Sequence, residues 1–321
     1  MTKLLNIFIV LLSVALVAVI LYPQIQDSRP RVLRLACDST VASLPFIVGI
    51  EESLFIHNRI VPELHFYSDP DAALADLFAG NVDVGIFPWS EVMRHAADKG
   101  ETLRVFMSLE YRVTLPVDAI VVTQQSKIKD IAGLSKRKLG YPPQLRGCIR
   151  PFLLQSSLPT ELVTTVELPL GELTAQLAAG AIDAAWLIEP LICGLDTTAF
   201  RVLQAGALPK YVSAPFPGAA VGFTTEFMNS NKVLLNRLKI SADATAAFSE
   251  GNADRARQHL GRYLACGTGD CAACRLPELQ RLVEINKPAI RTFASRLAVS
   301  GVLASDVDTD KMFVEPARMT R

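Results

Sequence analysis

Leu74-Ala-Asp-Leu-Phe-Ala-Gly80-Asn-Val-Asp83-Val-Gly-Ile-Phe-Pro-Trp89 and Leu173-Thr-Ala-Gln-Leu-Ala-Ala-Gly180-Ala-Ile-Asp183-Ala-Ala-Trp-Leu-Ile-Glu189-Pro190 repeat one pattern about a hundred residues apart. Leu74, Leu77 and Phe78 recur at helical spacing, as do Leu173, Leu177 and Ala178. Gly80 and Gly180 stand where a helix stops, where positive φ costs least in glycine. Asp83 and Asp183 are expected to bond their own turn backbone. Val84–Phe87 and Ala184–Ile188 are continuously apolar, which suits strands covered on both faces. A Gly-x-[Val/Ile]-Asp junction can recur by chance, but the shared leucine spacing argues for two similar α/β lobes. Two lobes imply a cleft between them.

The chain has 321 residues and no net charge. It is long enough for two packed lobes. Nothing in its charge favours nucleic acid or another polyanion as partner. Leu4 to Tyr22 is uncharged and carries only Asn6 and Ser13 as polar interruptions. Its length approaches the roughly 20 residues of a membrane span. The stretch that follows, Val19-Ile-Leu-Tyr-Pro-Gln, offers no small-residue cleavage site. The segment therefore reads as an uncleaved anchor in preference to a cleaved signal. Lys3 precedes it and Arg29, Arg31 and Arg34 follow it, so charge alone does not set its orientation.

Beyond a short linker holding Pro23 and Pro30, strands alternate with helices. Strands are expected at Val32–Cys37, Leu64–Tyr67, Leu103–Leu109, Ala119–Thr123, Lys138–Tyr141, Val163–Leu168, Arg201–Gln204 and Ala219–Thr224. From Glu226 to about Ser300 the pattern is helical, broken near Gly251, Cys266–Arg275 and Pro288. The alternation predicts lobes built on mostly parallel sheets flanked by helices. Residues 1–30 form the anchor and linker. Residues 31–118 and 219–321 form the first lobe, and residues 119–218 the second, with hinges near Val117–Val121 and Ala214–Val221.

These features together resemble the NMT1/THI5-like branch of the type II periplasmic substrate-binding proteins. Leu33-Arg-Leu-Ala, followed by Pro45-Phe-Ile-Val-Gly-Ile-Glu-Glu-Ser-Leu-Phe55, is similar to that family's first strand and helix. Lys127-Ile-Lys-Asp-Ile-Ala-Gly-Leu134, the strand ending in Glu189-Pro190, and Ser300-Gly-Val-Leu-Ala-Ser-Asp-Val-Asp-Thr-Asp-Lys-Met-Phe313 match it in order and spacing. The resemblance runs from about residue 32 to 317. It implies a binding domain on the periplasmic side of the inner membrane, monomeric and without cofactor. That domain would pass a sulfonate, nitrate, taurine or pyrimidine-like molecule to an ABC permease. A ligand sensor or adaptor, or an enzyme on the same fold, are the other readings. The sequence departs from the family pattern in its anchor and in its Cys266–Cys274 segment.

In open α/β sheets a ligand sits beyond the carboxyl ends of the strands. The candidates there are Asp38, Ser39, Thr40, Trp89, Ser90, Arg112, Arg146 and Glu189. Trp89 can stack on a planar ligand, although an aromatic at a strand end is as often packing. Arg112 or Arg146 can pair with a carboxylate or sulfonate, although loop arginines are usually solvated. Ser39, Thr40 and Ser90 can donate to an anion, and Glu189 can accept from an amine or hydroxyl. Glu189-Pro190 can equally be a plain turn.

Cys266-Gly-Thr-Gly-Asp-Cys271-Ala-Ala-Cys274 overlaps a plant-type iron–sulfur spacing, but no fourth cysteine is near in sequence. For an exported protein a disulfide within this loop is favoured over free thiols, and both over a metal. Cys37, Cys148 and Cys193 are expected to be buried. The four histidines show no ligand spacing, and no phosphate loop or nucleophile elbow is present.

Overall fold

The computed structural model describes residues 29–319 except 159 and 267–270, together with Leu12, Ser13 and Leu16. Apart from those three residues, the expected anchor Leu4–Tyr22 lies outside the described residues. Among the described residues, no helix is long and apolar enough to cross a membrane.

In chain order the strands are Arg31–Cys37 (β1), Ile60–Phe66 (β2), Val84–Pro88 (β3), Arg104–Tyr111 (β4), Asp118–Thr123 (β5), Lys138–Tyr141 (β6), Thr164–Glu167 (β7), Ala184–Ile188 (β8), Phe200–Ala205 (β9), Phe216–Phe223 (β10) and Glu278–Arg281 (β11). The helices are Leu44–Glu51 (α1), Leu54–His57 (α2), Pro70–Phe78 (α3), Trp89–Lys99 (α4), Arg146–Gln155 (α5), Leu173–Ala178 (α6), Thr225–Ser230 (α7), Lys232–Gly251 (α8), Ala253–Tyr263 (α9) and Lys287–Val299 (α10). They assemble a six-stranded sheet, β11-β4-β10-β3-β1-β2, and a five-stranded one, β7-β6-β8-β5-β9.

The pairings explain why the sheets are mixed in a regular way. β1 runs parallel to β2 and β3, and β6 parallel to β7 and β8. β10 lies antiparallel between β3 and β4, and β5 antiparallel between β8 and β9. These two reversed strands are the first that the chain enters after each crossing between sheets. Most strands in each sheet therefore point one way, and the crossing strand is inserted head to tail among them. β11 was not expected: Glu-Leu-Gln-Arg has no apolar run, and it forms only as an edge strand on β4. Ile131–Leu134 forms a short 3-10 turn, with Asp130 Oδ1 accepting the Gly133 amide at 2.9 Å.

The repeated sequence folds the same way twice. Gly80 and Gly180 both take positive φ, 76° and 72°. The two aspartates do not bond their own turns, as expected above, but pin the neighbouring strand. Asp83 Oδ2 accepts the amide of Arg34 in β1, and Asp183 Oδ2 that of Lys138 in β6, both at 2.8 Å. The reverse bonds, Asp83 N to Arg34 O and Asp183 N to Lys138 O, are both 2.9 Å. Each Asp thus sets the register of one parallel pair.

Burial follows the strand period of two. Ile120, Val122, Ala184, Trp186 and Ile188 face the large core that runs through both sheets. Ala119, Val121, Ala185 and Leu187 face the smaller core under α6. β8 is therefore apolar throughout because both its faces are covered.

Candidate functional site

Because the strands share a direction, β1, β3, β4, β6 and β8 bring their carboxyl ends to one seam, and the crossing strands β5 and β10 begin there. The first sheet contributes Asp38, Thr40, Ala42, Pro88, Ser90, Tyr111, Phe216 and Gly218 to a cavity, and the second contributes Gln144, Leu145, Cys148, Ile188 and Leu208. Its volume is about 20 Å³, room for little more than one water. A ligand of several heavy atoms can occupy it only when the lobes part. A roomier hollow of about 430 Å³, lined by Met228, Lys232 and Arg318 among others, lies away from the strand ends.

The cavity sets acceptors at Asp38 and Gln144 beside hydroxyl and thiol groups at Thr40, Ser90, Tyr111 and Cys148. Asp38 Oδ1 accepts from the Thr40 amide at 3.0 Å, Thr40 Oγ1 at 2.8 Å and Ser43 Oγ at 3.3 Å. The same turn is closed by Ser43 Oγ donating to the Asp38 carbonyl at 2.7 Å. Desolvation raises the Asp38 carboxyl above its ordinary pKa, and the Thr40 and Ser43 hydrogen bonds oppose that rise. Gln144 donates to the Ser68 carbonyl at 3.4 Å, while its Oε1 is buried without a protein partner among the described residues. Burial, then the nearby Asp38 and Asp118 carboxylates, push the Tyr111 phenol upward. Burial likewise keeps the Cys148 thiol protonated. No Lys, Arg or His is among the described lining residues.

The seam beside the cavity is closed by polar contacts from lobe to lobe. Arg146, at the start of α5, reaches Asp71 at 2.7 Å and Asp69 at 3.3 Å across the seam, and Glu167 at 2.6 Å on its own side. The Gly147 amide donates to Glu91 Oε1 at 3.1 Å. The Val41 amide donates to the Glu189 carbonyl at 3.1 Å.

Of the expected site residues, Asp38, Thr40 and Ser90 meet at the cavity. Ser39 is exposed. Trp89 is fully buried, donates to Ser108 Oγ at 2.9 Å and packs against Phe313 with ring centres 5.9 Å apart. It is the first residue of α4, which turns its side chain back under the sheet instead of into the cleft. Arg112 is half exposed and paired with Glu278 on β11. Arg146 is saturated by three carboxylates. Glu189 is 1% exposed, but its side chain turns from the cleft to the Cys193 amide at 2.9 Å and the Arg275 amide at 3.4 Å. Burial raises its carboxyl above the usual range, and those amides lower it.

Sequence reasoning passed over Tyr111, Gln144, Cys148 and Gly218. Strand alternation was the available signal for the first: Leu109 and Tyr111 share a face, which leaves Arg112 on the other. Gln144 and Cys148 come from a turn and a helix start, where no period assigns a face. Gly218 is there because a Cβ on it would lie 2.3 Å from the Tyr111 ring.

The cysteines fall into two groups. Cys37 and Cys148 are isolated and buried. Cys266 is joined to Cys271. Cys274 lies against the half-buried Cys193, and its thiol is held protonated by that contact and by burial.

No curated protein matches the chain. Its fold matches that of the alkanesulfonate-binding protein SsuA from Xanthomonas axonopodis pv. citri bound to MOPS, with TM-score 0.72 and 16% identity over 89% of this chain and 99% of that one. The periplasmic aliphatic sulphonate-binding protein SsuA from Escherichia coli matches with TM-score 0.68 and 15% identity, over 88% and 97%. The periplasmic nitrate-binding protein NrtA from Synechocystis PCC 6803 matches with TM-score 0.70 and 12% identity, over 88% and 86%. These likenesses establish the two-lobed α/β fold of type II periplasmic binding proteins. The sequence model described as NMT1/THI5 like matches residues 41–205, just over half of the chain, and the chain belongs to that family.

Proposed function

We propose that the chain is the solute-binding component of an ABC-type importer, which captures a small polar molecule between its lobes and hands it to a permease. The observation that carries this reading is the cavity at the strand ends, walled by both sheets and closed by contacts between them. It is where an open α/β sheet binds its ligand, and hinge closure is how two such lobes take one up. The lobes are residues 31–118 with 219–321, and residues 119–218. Binding without turnover, by a monomer on the periplasmic side of the inner membrane held by Leu4–Tyr22, completes the proposal.

Within the sulfonate, nitrate, taurine and pyrimidine-like class, the wall chemistry favours a ligand that donates hydrogen bonds. Asp38 and Gln144 Oε1 are acceptors, and the lining residues named above bring no cation to meet an anion. An aminopyrimidine satisfies such a wall, and taurine does so through its ammonium group. Nitrate has no donor to offer it.

A ligand that binds only the folded state stabilises it by mass action. Thermal melting of the purified chain is therefore expected to rise with an aminopyrimidine or taurine, and Asp38→Asn should weaken that binding by roughly 10- to 100-fold, the value of a hydrogen bond to a charged group. A panel in which no compound moves the melting curve would sink the transport reading. A panel in which only nitrate or simple alkanesulfonates move it would sink the donor preference alone.

A further inference from the structure

Cys193 and three cysteines some seventy to eighty residues further along the chain gather in two overlapping groups beside the crossing between lobes. Cys193 follows β8 in the second lobe, while Cys266, Cys271 and Cys274 follow α9. The Sγ atoms of Cys193, Cys266 and Cys271 lie within 4.8 Å of one another. Those of Cys193 and Cys274 lie within 4.8 Å of each other and of a Glu189 carboxylate oxygen. Cys193 belongs to both groups and is the fourth cysteine that the spacing Cys266-x4-Cys271-x2-Cys274 lacks in sequence.

The backbone around the thiols is fixed from several sides. Glu189 accepts the amides of Cys193 and Arg275, so one buried carboxylate holds both thiol-bearing segments. Arg257 Nε donates to the Cys274 carbonyl at 2.7 Å. Arg275 donates to the Pro116 carbonyl at 3.3 Å, on the crossing from β4 to β5.

Four converging thiols are a soft donor set that selects zinc or iron–sulfur chemistry. Around a tetrahedral zinc with Zn–S near 2.3 Å, sulfurs stand about 3.8 Å apart. Cys193 Sγ lies within 4.8 Å of each of the other three sulfurs, which suits a single ion once the Cys266–Cys271 bond is opened; an iron–sulfur cluster shares its thiolates among separate irons and spreads them further. We propose that Cys193, Cys266, Cys271 and Cys274 form a tetrathiolate site for one zinc ion in the reduced protein, with the Cys266–Cys271 disulfide as its metal-free oxidised form.

The exchange balances. A dithiol reductant delivers two electrons and two protons to the disulfide and becomes a disulfide itself, leaving four protein thiols. Zinc then forms four Zn–S bonds and releases four protons. In the oxidised form only Cys193 and Cys274 remain as thiols, two ligands short. The redox poise of the surroundings selects between the forms. Glu189 is a positioning residue for both ligand-bearing loops, and the ion would tie the second lobe to the segment after α9. None of this depends on which solute enters the cleft.

Cobalt(II), which reports tetrahedral thiolate ligation by its absorption, is the probe. The full-length chain is reduced with a dithiol, freed of it and titrated with cobalt. The expected result is one equivalent bound, with d–d bands of a tetrahedral ion and a thiolate charge-transfer band, all lost when zinc is added. Cys193→Ser and Cys274→Ser should each cut the charge-transfer band by about a quarter, one thiolate in four, and Cys37→Ser should leave it intact. Oxidised protein should bind no cobalt tetrahedrally. A reduced wild-type protein with only the weak spectrum of octahedral cobalt overturns the proposal, as does a tetrahedral spectrum that survives the Cys193→Ser/Cys274→Ser double variant. Alkylation of the unmutated protein provides a check free of folding effects. Zinc should protect the half-buried Cys193, and labelling of Cys193 at the zinc-free rate also overturns the assignment.

Discussion

The amide of Gly147, in the second lobe, donates to the buried Oε1 of Glu91 in the first at 3.1 Å, and the approach leaves no room for a side chain at residue 147. A Cβ placed there would lie 2.6 Å from Ser90 Cβ and 3.1 Å from the same Glu91 oxygen. The other carboxylate oxygen of Glu91 is held by Arg94 at 2.7 Å, so Glu91 cannot swing aside without losing an ion pair. Closure of the cleft thus depends on backbone meeting side chain at one glycine.

Gly147→Ala should therefore prop the lobes apart while each lobe keeps its fold. Overpacking of this kind costs about 1–3 kcal/mol, here charged to the closed state alone. Small-angle scattering of the ligand-free protein should show a larger radius of gyration than wild type, with an unchanged circular dichroism spectrum. Ligand affinity should fall about 5- to 150-fold, the same free energy expressed as a binding ratio. Wild-type scattering and affinity in the variant would show that the glycine is not the point of contact.

Arg146 is the electrostatic counterpart of that contact. Its bonds to Asp69 and Asp71 cross the seam, whereas Glu167 shares its own lobe. The partners are partly exposed, so each crossing pair contributes about 0.5–1 kcal/mol at most. Arg146→Gln, which removes both crossing pairs, should weaken ligand binding roughly 5- to 30-fold, and it should abolish most of the salt dependence of wild-type closure, because screening acts on these pairs. Titrations at low and high salt separate the two effects. An affinity that falls equally with salt in both proteins would show that the pairs do not hold the cleft.

Much of this architecture was legible in the sequence because it rests on local rules. The two Leu…Gly-x-[Val/Ile]-Asp copies marked one αβ junction in each sheet, and the apolar runs read from Ala119 and Ala219 fall within the crossing strands, which begin at Asp118 and Phe216. The cleft was legible as a place, and Asp38, Thr40 and Ser90 stand in it. Side-chain direction was not legible. Trp89 and Glu189 occupy matching places at the repeat ends, yet a buried hydroxyl on Ser108 draws one inward and two amides draw the other toward Cys274. Ser108 lies 19 residues from Trp89 and Arg275 lies 86 from Glu189, beyond the reach of any periodicity, and only the Cys193 amide is local. Arg146 looked free for an anion because its three carboxylates come from two other loops.

Trp89→Ala tests the inward placement. Removing a fully buried Trp should cost about 3–5 kcal/mol of stability through the lost burial and the cavity left behind. It should also leave Ser108 Oγ without its indole donor. Urea denaturation should show an earlier midpoint with little change in slope. Trp89→Phe should recover most of the loss, short of the hydrogen bond, which contributes about 1 kcal/mol. A variant as stable as wild type with reduced ligand affinity would return Trp89 to the cleft wall.

Asp118 makes stability depend on pH. It begins β5, is fully buried, and accepts from Trp186 Nε1 at 2.8 Å and the Leu208 amide at 3.0 Å through Oδ2. Its Oδ1 has no partner among the described residues. Desolvation raises the carboxyl to about 6, against the pull of those donors. In the unfolded chain it returns to about 3.9. Between these values the folded state holds more protons than the unfolded one, so stability must fall as pH rises from about 4 to about 6. A shift of about two units amounts to roughly 3 kcal/mol lost over that window. Asp118→Asn keeps an acceptor for Trp186 and Leu208 but cannot ionise. Its denaturation midpoint should be flatter than that of wild type between pH 4 and 6, and at pH 7 it should equal or exceed the wild-type value. Parallel pH profiles for the two proteins would show that Asp118 ionises as easily in the folded chain as in the unfolded one.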